Sequence, residues 1–176
     1  AGGQASISDC QFLTNYIAMS ATHPTTRAYG GAIYASGLTR LTVQDCLFAG
    51  CYEQGVAGRG GTIYLEGASQ KSVLQRCVMA KNGQSGHSGS LYLYSGTLAA
   101  TNLLYAGTVI TNAVDVYGGT LTAVNVTIAD SPGYGIWMGG GTATLKNSII
   151  WGNSAGGVGG PAAASLSATY SDIQDA

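Results

Sequence analysis

The chain has 176 residues with 28 glycines; Lys+Arg 7 and Asp+Glu 8 give a net charge of −1. Charged residues are 9% of the total, far below the roughly 25% of an average soluble domain, so no basic face for binding nucleic acid can be assembled. The 45% hydrophobic content excludes a disordered chain, no apolar run reaches the roughly 18 residues of a spanning helix, and the first residues are not a signal peptide, so any leader is expected to have been removed.

An internal repeat runs along the chain. Six segments align without a gap: ASISDCQFLTN from Ala5, LTVQDCLFAGC from Leu41, SVLQRCVMAKN from Ser72, LAATNLLYAGT from Leu98, LTAVNVTIADS from Leu121 and ATLKNSIIWGN from Ala143. A seventh copy begins at Leu166. The period settles at about 22 residues in the later copies, and the early copies carry insertions at residues 16–28, 52–59 and 81–88.

A second aligned block lies between these segments. Its copies are GGAIYASG from Gly30, GGTIYLEG from Gly60, SGSLYLYSG from Ser88, NAVDVYGG from Asn112 and GYGIWMGG from Gly133. Alternation of apolar with other residues, bounded by glycine, predicts short half-buried strands. No sustained helical periodicity competes with this interpretation.

Short strands at a regular period, joined by turns too short for crossover helices, predict one all-β domain over residues 1–176. The predicted architecture is a single-stranded parallel β-helix of six to seven rungs, stacked about 4.8 Å apart, with right-handed coiling as the default. Its N-terminal rungs carry the longer loops, and its ends are expected to be open and uncapped. A sandwich is the rival fold, but it leaves the gapless register unexplained.

Stacked rungs turn aligned positions into vertical columns. We expect a polar ladder of Asp45, Asn102, Asn125 and Asn147 at a turn, continued by Asp9. Two apolar columns should fill the interior: Phe12, Phe48, Met79, Tyr105, Ile128, Ile150 and Ile173 in one, and Ile33, Ile63, Leu91, Val114 and Ile136 in the other. The ladder is expected to bury Asn125, which also begins the sequon Asn-Val-Thr.

Several short motifs resemble a known family. GGAI at residues 30–33 and FLTN at residues 12–15 resemble motifs of polymorphic outer-membrane proteins, whose passengers are extracellular right-handed β-helices. LKNSIIWGN from Leu145 and TYSDIQ from Thr169 are similar to repeat proteins of the pectate-lyase-like superfold. GGTI, MAKN and IWGN are relaxed versions of the same motifs. The resemblance implies an extracellular or cell-surface scaffold of the adhesin type.

The cysteines offer two arrangements. Cys10, Cys46 and Cys77 occupy one column on three rungs, and Cys51 lies five residues beyond Cys46. They form either a stack of buried thiols or one vertical or lateral disulfide, because adjacent rungs approach the Cα separation of a bridge. No metal or other cofactor is predicted, since CxxC is absent and both histidines lie outside the cysteine segments.

Aromatic residues mark the outward side of the second block. Tyr34, Tyr64, Tyr92, Asp115 and Trp137 form one column, and Ser36, Glu66, Tyr94 and Tyr117 form the next. Such a stripe suits the apolar faces of sugar rings, so we predict glycan binding by Tyr34, Tyr64, Glu66, Tyr92, Tyr94, Asp115, Tyr117 and Trp137. The alternative is that these tyrosines only stabilise the stack or cover a contact with another chain.

Two further surfaces carry alternatives. The insertions bring together His23, Arg27, Glu53, Arg59, Lys81 and His87, either as a functional loop cluster or as solvated charges. Outward threonines and serines suggest an ice-binding array: Thr97, Thr120, Thr122, Thr142, Thr144, Ser165 and Ser167. Arg40 and Lys71 interrupt that column.

No catalytic site is predicted. Glycoside hydrolysis needs two carboxyl groups about 5 to 9.5 Å apart, whereas Glu66 and Asp115 lie two rungs apart, roughly 10 Å by stacking. A polysaccharide-degrading enzyme is therefore the alternative rather than the leading hypothesis. The leading one is a non-enzymatic extracellular scaffold, either an adhesin segment or a filament subunit whose copies stack head to tail through open edges. The expected partners are glycans and either the chain itself or flanking repeats of a longer chain, and neither nucleic acid nor membrane insertion is expected.

Overall fold

The computed structural model describes residues 2–18, 28–54, 58–68, 70–84, 89–109, 111–162 and 165–174, and within them the secondary structure is almost entirely β. None of the described segments is a helix able to cross a membrane. In chain order the strands are β1 (Gln4–Ser8), β2 (Gln11–Leu13), β3 (Tyr16–Ala18), β4 (Ile33–Ser36), β5 (Arg40–Gln44), β6 (Leu47–Ala49), β7 (Tyr52–Gln54), β8 (Ile63–Glu66), β9 (Ser72–Gln75), β10 (Val78–Gln84), β11 (Leu91–Leu93), β12 (Thr97–Thr108), β13 (Val114–Val116), β14 (Thr120–Ala129), β15 (Tyr134–Met138), β16 (Thr142–Lys146), β17 (Ile149–Trp151), β18 (Gly156–Gly159), β19 (Leu166–Thr169) and β20 (Asp172–Ile173).

The strands pair only in parallel with the equivalent strand of the neighbouring turn, among the described residues. A six-stranded sheet has the order β18-β15-β13-β11-β8-β4, and a 14-stranded sheet contains the remaining strands. The prediction of an all-β parallel solenoid is confirmed. Five steps separate the six strands of the smaller sheet, and the solenoid has about five turns, slightly fewer than the six to seven rungs predicted.

The larger sheet bends at one residue per turn, which divides it into two faces. The leading face holds β1, β5, β9, the first half of β12 and of β14, β16 and β19. The trailing face holds β2, β6, the first part of β10, the second halves of β12 and β14, β17 and β20. Beyond the trailing face, β3 pairs with β7, and β7 pairs with the end of β10. The residue at the bend has a positive φ in every turn: Asp9, Asp45, Arg76, Asn102, Asn125, Asn147 and Tyr170, with φ from 49° to 55°. Asn and Asp tolerate this conformation better than other residues with a Cβ, which accounts for most of the column.

The predicted asparagine ladder lies along this bend. Asn125 Nδ2 donates to Asn102 Oδ1 at 3.0 Å, and Asn147 Nδ2 donates to Asn125 Oδ1 at 3.3 Å. Asp45 does not continue the amide ladder, because the next turn has Arg76 and not an asparagine at this position. Arg76 forms a bidentate ion pair with Asp45: Nε donates to Oδ1 and Nη2 donates to Oδ2, both at 2.6 Å. The expectation that the ladder buries Asn125 is wrong: the bend is convex, so Asn125 is exposed while its amide remains hydrogen-bonded.

The core is formed by inward side chains in the predicted register. Phe12 stacks on Phe48 with ring centroids 4.7 Å apart, and the column continues through Met79, Tyr105, Ile128, Ile150 and Ile173. The smaller sheet contributes Ile33, Ile63, Leu91, Val114 and Ile136, with Val158 as a sixth member. Each fully buried large side chain contributes about 1.5 to 3 kcal/mol to stability.

Two of the short motifs have a structural explanation. Asn82, which ends MAKN, is fully buried; its Oδ1 accepts from Cys51 N at 2.8 Å and its Nδ2 donates to Phe48 O at 3.0 Å. Asn153, which ends IWGN, accepts from Ser131 N at 3.1 Å. At the end of the trailing face, these side-chain amides hydrogen-bond to backbone groups in place of a neighbouring strand, so the buried backbone groups keep hydrogen-bond partners.

The four cysteines are free thiols. Cys46, Cys51 and Cys77 are buried, and Cys10 is half-buried on the first turn. The Cys46 and Cys77 thiols donate to the carbonyl oxygens of Gln44 and Gln75 at 3.1 and 3.3 Å. Burial raises the pKa of both thiols, so Cys46 and Cys77 are buried groups of low reactivity.

Candidate functional site

The outer side of the six-stranded sheet, called here the tyrosine face, carries the two predicted columns. Tyr34, Tyr64, Tyr92, Asp115 and Trp137 lie in register on successive strands. Three of the residues predicted to bind glycans, Tyr64, Tyr92 and Asp115, are buried, at 3%, 2% and 3% exposed. Tyr34 and Tyr117 remain about half exposed, at 55% and 49%.

Burial of the central tyrosines results from stacking with the neighbouring column. The Tyr64 and Tyr92 rings are nearly parallel, 5.6 Å apart, and Tyr94 and Tyr117 form a second parallel pair at 5.4 Å. The two pairs also contact each other: the ring centroids of Tyr92 and Tyr117 are 6.0 Å apart, and those of Tyr64 and Tyr94 are 6.1 Å apart. Desolvation raises the pKa of both Tyr64 and Tyr92, so these hydroxyl groups stay protonated.

Two residues that sequence reasoning did not place on this face complete it. The Arg59 guanidinium lies 5.4, 5.7 and 5.2 Å from the ring centroids of Tyr92, Tyr94 and Tyr117. Tyr29 covers the other end, 5.6 Å from Tyr34 and 4.7 Å from Tyr64. Both occur directly before the paired glycines of the second block, as YGG and RGG, and this shared position was the available signal.

The paired glycines hold Tyr29 and Arg59 against the sheet. Gly30 and Gly60 have φ of 62° and 67°, in the left-handed region that favours glycine. Tyr29 and Arg59, the residues directly before these glycines, are joined by a parallel backbone bridge. Arg59 therefore sits at a fixed height over the rings, in the range where cation–π attraction contributes about 0.5 to 2 kcal/mol.

Asp115 is the buried acid of the site. Its Oδ1 accepts from Asn112 Nδ2 at 3.0 Å, and Asn112 Oδ1 in turn accepts from Tyr134 N at 2.9 Å. Desolvation raises the pKa of Asp115 to about 7, opposed by the hydrogen bonds from Asn112 and Gly89 and by the charge of Arg59. The carboxyl group is thus partly protonated near neutral pH, but it lies below the surface of the face.

Glu66 is the accessible acid. It is half-buried, and its Oε2 accepts from Ser36 Oγ at 3.3 Å and from Tyr64 Oη at 3.4 Å. The column that contains Ser36, Glu66, Tyr94 and Tyr117 continues to Gly139 on the next turn, where a Cβ would stand 3.2 Å from Tyr117 Cδ2. Because Gly139 has no side chain, the ring side of Tyr117 that faces it is left open. Trp137, half-buried, lies on that same turn with its ring 5.4 Å from Tyr134.

The predicted loop cluster falls partly outside the described residues, which do not include His23, Arg27 or His87. Of the others, Arg59 belongs to the tyrosine face, Lys81 is exposed and Glu53 is fully buried. Neither carboxylate oxygen of Glu53 has a hydrogen-bond partner within the described part of the chain. Burial raises the pKa of Glu53 to about 7.

The threonine array lies on the leading face. Thr97, Thr120 and Thr142 are in register, as are Thr122, Thr144 and Ser167. Thr142 Oγ1 donates to Thr120 Oγ1 at 3.2 Å. Ser165, directly before β19 on the same turn as Ser167, is exposed, and ice binding by this array stays a prediction.

No group of three or more His, Cys, Asp or Glu side chains among the described residues is arranged to hold a metal ion. The comparisons give no relative: no protein-family model, no curated protein and no solved structure matches the chain. The all-β parallel solenoid is supported by the structure, while the resemblance to adhesin passengers and to the pectate-lyase-like superfold rests on the short motifs alone.

Proposed function

We propose that the chain is a non-enzymatic extracellular scaffold, a segment of an adhesin type, which binds glycans on its tyrosine face. The observation that carries the proposal is a set of half-exposed aromatic rings: Tyr34 and Tyr117, which stack on the buried rings of Tyr64 and Tyr92, and Trp137, which lies against Tyr134. Rigid aromatic rings on an immobile base bind the apolar face of a sugar with little loss of side-chain entropy.

Polar groups beside these rings would orient a bound sugar by hydrogen bonds. Glu66 and Ser36 offer an acceptor and a hydroxyl group next to Tyr34. Arg59 offers donors next to Tyr117, and it forms no salt bridge among the described residues. A few placed polar groups around an apolar platform are typical of carbohydrate-sized ligand sites.

The test is a glycan array probed with the wild-type chain and matched variants. Tyr117→Ala removes the ring whose side is left open by Gly139, and it should abolish or strongly weaken binding of whichever glycans the wild type retains. Tyr170→Ala is the matched control, because Tyr170 is 84% exposed at the bend between the leading and trailing faces, away from the tyrosine face. A wild type that binds no glycan, or a Tyr117→Ala variant that binds like wild type, contradicts the proposal.

A polysaccharide-degrading enzyme is the second candidate. It is favoured by one observation, the Asp115 carboxyl group with a pKa raised to about 7, a value suited to a general acid near neutral pH. Its 3% exposure argues against it, because a general acid must reach the oxygen that it protonates. Incubation with neutral and acidic polysaccharides distinguishes the two: new reducing ends or unsaturated products, lost in Asp115→Asn, would establish catalysis.

Head-to-tail assembly is the proposal for self-association along the axis. The core side chains Ile7 and Phe12 on the first turn and Leu166 and Ile173 on the last are half-buried, in contrast to the fully buried members of the same columns. A strand edge paired on one side only accepts another strand. Electron microscopy of the concentrated protein tests this: filaments with a cross-β repeat along their length support it, and single particles contradict it.

A further inference from the structure

The outer side of the trailing face is apolar over nearly its whole height. Its first column is Gln11, Leu47, Val78, Leu104, Thr127, Ile149 and Asp172, and its second is Leu13, Ala49, Ala80, Ala106, Ala129 and Trp151. The only charged side chain among these residues is Asp172 at one end. Leu13, Leu104, Ile149 and Trp151 are 51%, 42%, 49% and 55% exposed.

The two outward columns of this face differ in side-chain size, which gives the surface a ridge and a trough. In the middle turns a ridge of Leu47, Val78 and Leu104 runs beside a trough of Ala49, Ala80, Ala106 and Ala129. Ridge and trough residues lie on the same strands, two positions apart, and all their side chains point outward because the residue between them is buried. The ends of the trough are closed by the larger side chains Leu13 and Trp151.

Such a surface is complementary to a copy of itself. Rotation by 180° about an axis parallel to the solenoid, lying in the plane of the face, keeps each turn at its height and exchanges the two columns. The ridge of one copy then lies against the alanine trough of the other, so that Leu104 meets Ala106 of the second copy. Self-complementarity under a two-fold axis is the requirement for a closed dimer.

The size of the face fits a second copy better than a small ligand. The trailing face runs from the bend at Asn125 to a second residue of positive φ, Asp130 in the same turn, and is about 16 Å wide. Its six steps span about 29 Å, which gives roughly 450 to 500 Å² in projection. Side chains standing on this plane expose more than its projected area, so the face provides a small, reversible interface. The net charge of −1 opposes pairing of two copies very little.

We propose that the trailing face is a homodimer interface, in which two copies lie side by side with their axes parallel. The dimer is independent of the glycan site and leaves both tyrosine faces open, because that face belongs to the other sheet. Pairing would present two glycan-binding faces on one particle. Because the two columns carry almost no charge, salt weakens the association little.

The experiment measures mass against concentration by sedimentation equilibrium, from about 1 µM to about 1 mM. Wild type should pass from monomer to dimer, and Leu104→Glu should raise the dissociation constant at least about tenfold, since it places a charge in an apolar contact. Thr101→Glu is the matched control on the same strand, half-buried on the leading face, and it should dimerise like wild type. Circular dichroism must show that both variants are folded.

The orientation has its own test in a charge-swap pair. Leu104→Glu and Ala106→Lys should each dimerise alone at least about tenfold more weakly than wild type. Mixing them should restore a heterodimer, because the two-fold axis places residue 104 of one copy opposite residue 106 of the other. A wild type that stays monomeric throughout, a Leu104→Glu variant that dimerises like wild type, or a mixture that fails to associate each overturns the proposal. Filaments that still form in Leu104→Glu are explained by the head-to-tail contact, which does not involve the trailing face.

Discussion

The tyrosine face and the trailing face are outer surfaces of the same turns, yet their large side chains differ in exposure to solvent. On the tyrosine face, stacked rings and Arg59 cover one another until Tyr92 is 2% exposed. On the trailing face, Leu104 has only small or aliphatic neighbours and is 42% exposed. Two outward columns with equally regular spacing therefore differ in whether the protein itself supplies the covering atoms.

Large side chains that reach across columns account for the difference. A tyrosine ring contacts the adjacent column as well as the next turn, whereas an alanine contacts only its own column. Covering the tyrosine face also buries Asp115, whereas Glu53 is buried on β7 of the larger sheet, outside that face. Among the described residues, the two outward columns of the trailing face contain one acid, Asp172 at the end of the face, so the properties of its middle turns should not depend on pH.

The largest expected effect concerns truncation of a buried ring. Tyr92→Ala should lower the free energy of unfolding by about 3 to 5 kcal/mol, because it removes a fully buried aromatic side chain and leaves a cavity. Urea denaturation measures the loss. Tyr117→Ala, with half of its ring exposed, should lose less than half as much, and equal losses would show that the two rings are equivalently buried.

The next effect is a pH dependence that comes from two buried acids, Asp115 on the tyrosine face and Glu53 on β7. The native pKa values of Asp115 and Glu53, both about 7, lie above their ordinary values of 3.8 and 4.5, so the folded state binds more protons than the unfolded state between those limits. The stability that these two groups contribute is therefore greatest below about pH 4, falls as the pH rises, and levels off above about pH 7. For Asp115 the loss is on the order of 2 to 4 kcal/mol.

Thermal unfolding between pH 4 and pH 8 tests this dependence. Asp115→Asn and Glu53→Gln should each flatten part of the curve, and the double variant should remove most of it. A double variant with the wild-type slope would locate the dependence elsewhere.

A smaller effect concerns the bend that borders the trailing face. Asn125→Ala removes two ladder hydrogen bonds and places a Cβ residue with low left-handed propensity at φ 55°, so it should cost about 1 to 3 kcal/mol. Asn125→Gly keeps the backbone preference and should cost less. Guanidinium denaturation of the pair separates the hydrogen bonds from the backbone. If alanine and glycine cost the same, backbone strain contributes nothing measurable.

The smallest effect is truncation on the trailing face itself. Leu104→Ala should change the free energy of unfolding of the monomer by about 1 kcal/mol or less, because the side chain is 42% exposed. Chemical denaturation at low protein concentration measures it. A loss as large as that of Tyr92→Ala would mean that the trailing face is covered and would remove the contrast between the two faces.

Much of the fold could be predicted because each turn repeats the same physical requirement. Phe48, Met79 and Tyr105 share no chemistry beyond bulk, yet their common position in the repeat places them in one column. The partners of the site could not be predicted in the same way. Arg59 was visible only as one charge among several in a loop, and its stacking on three rings depends on how that loop returns to the sheet.

The sequence by itself determined the solenoid, its register and the identity of each column, because alternation and a near-constant period are properties of the chain alone. Only the tertiary structure decided which outward columns are covered. Exposure depends on contacts between neighbouring columns and on the returning loops, and these bury Tyr64, Tyr92 and Asp115 while leaving the ridge and trough of the trailing face open. Periodicity specifies the direction of a side chain, and packing specifies what that side chain meets.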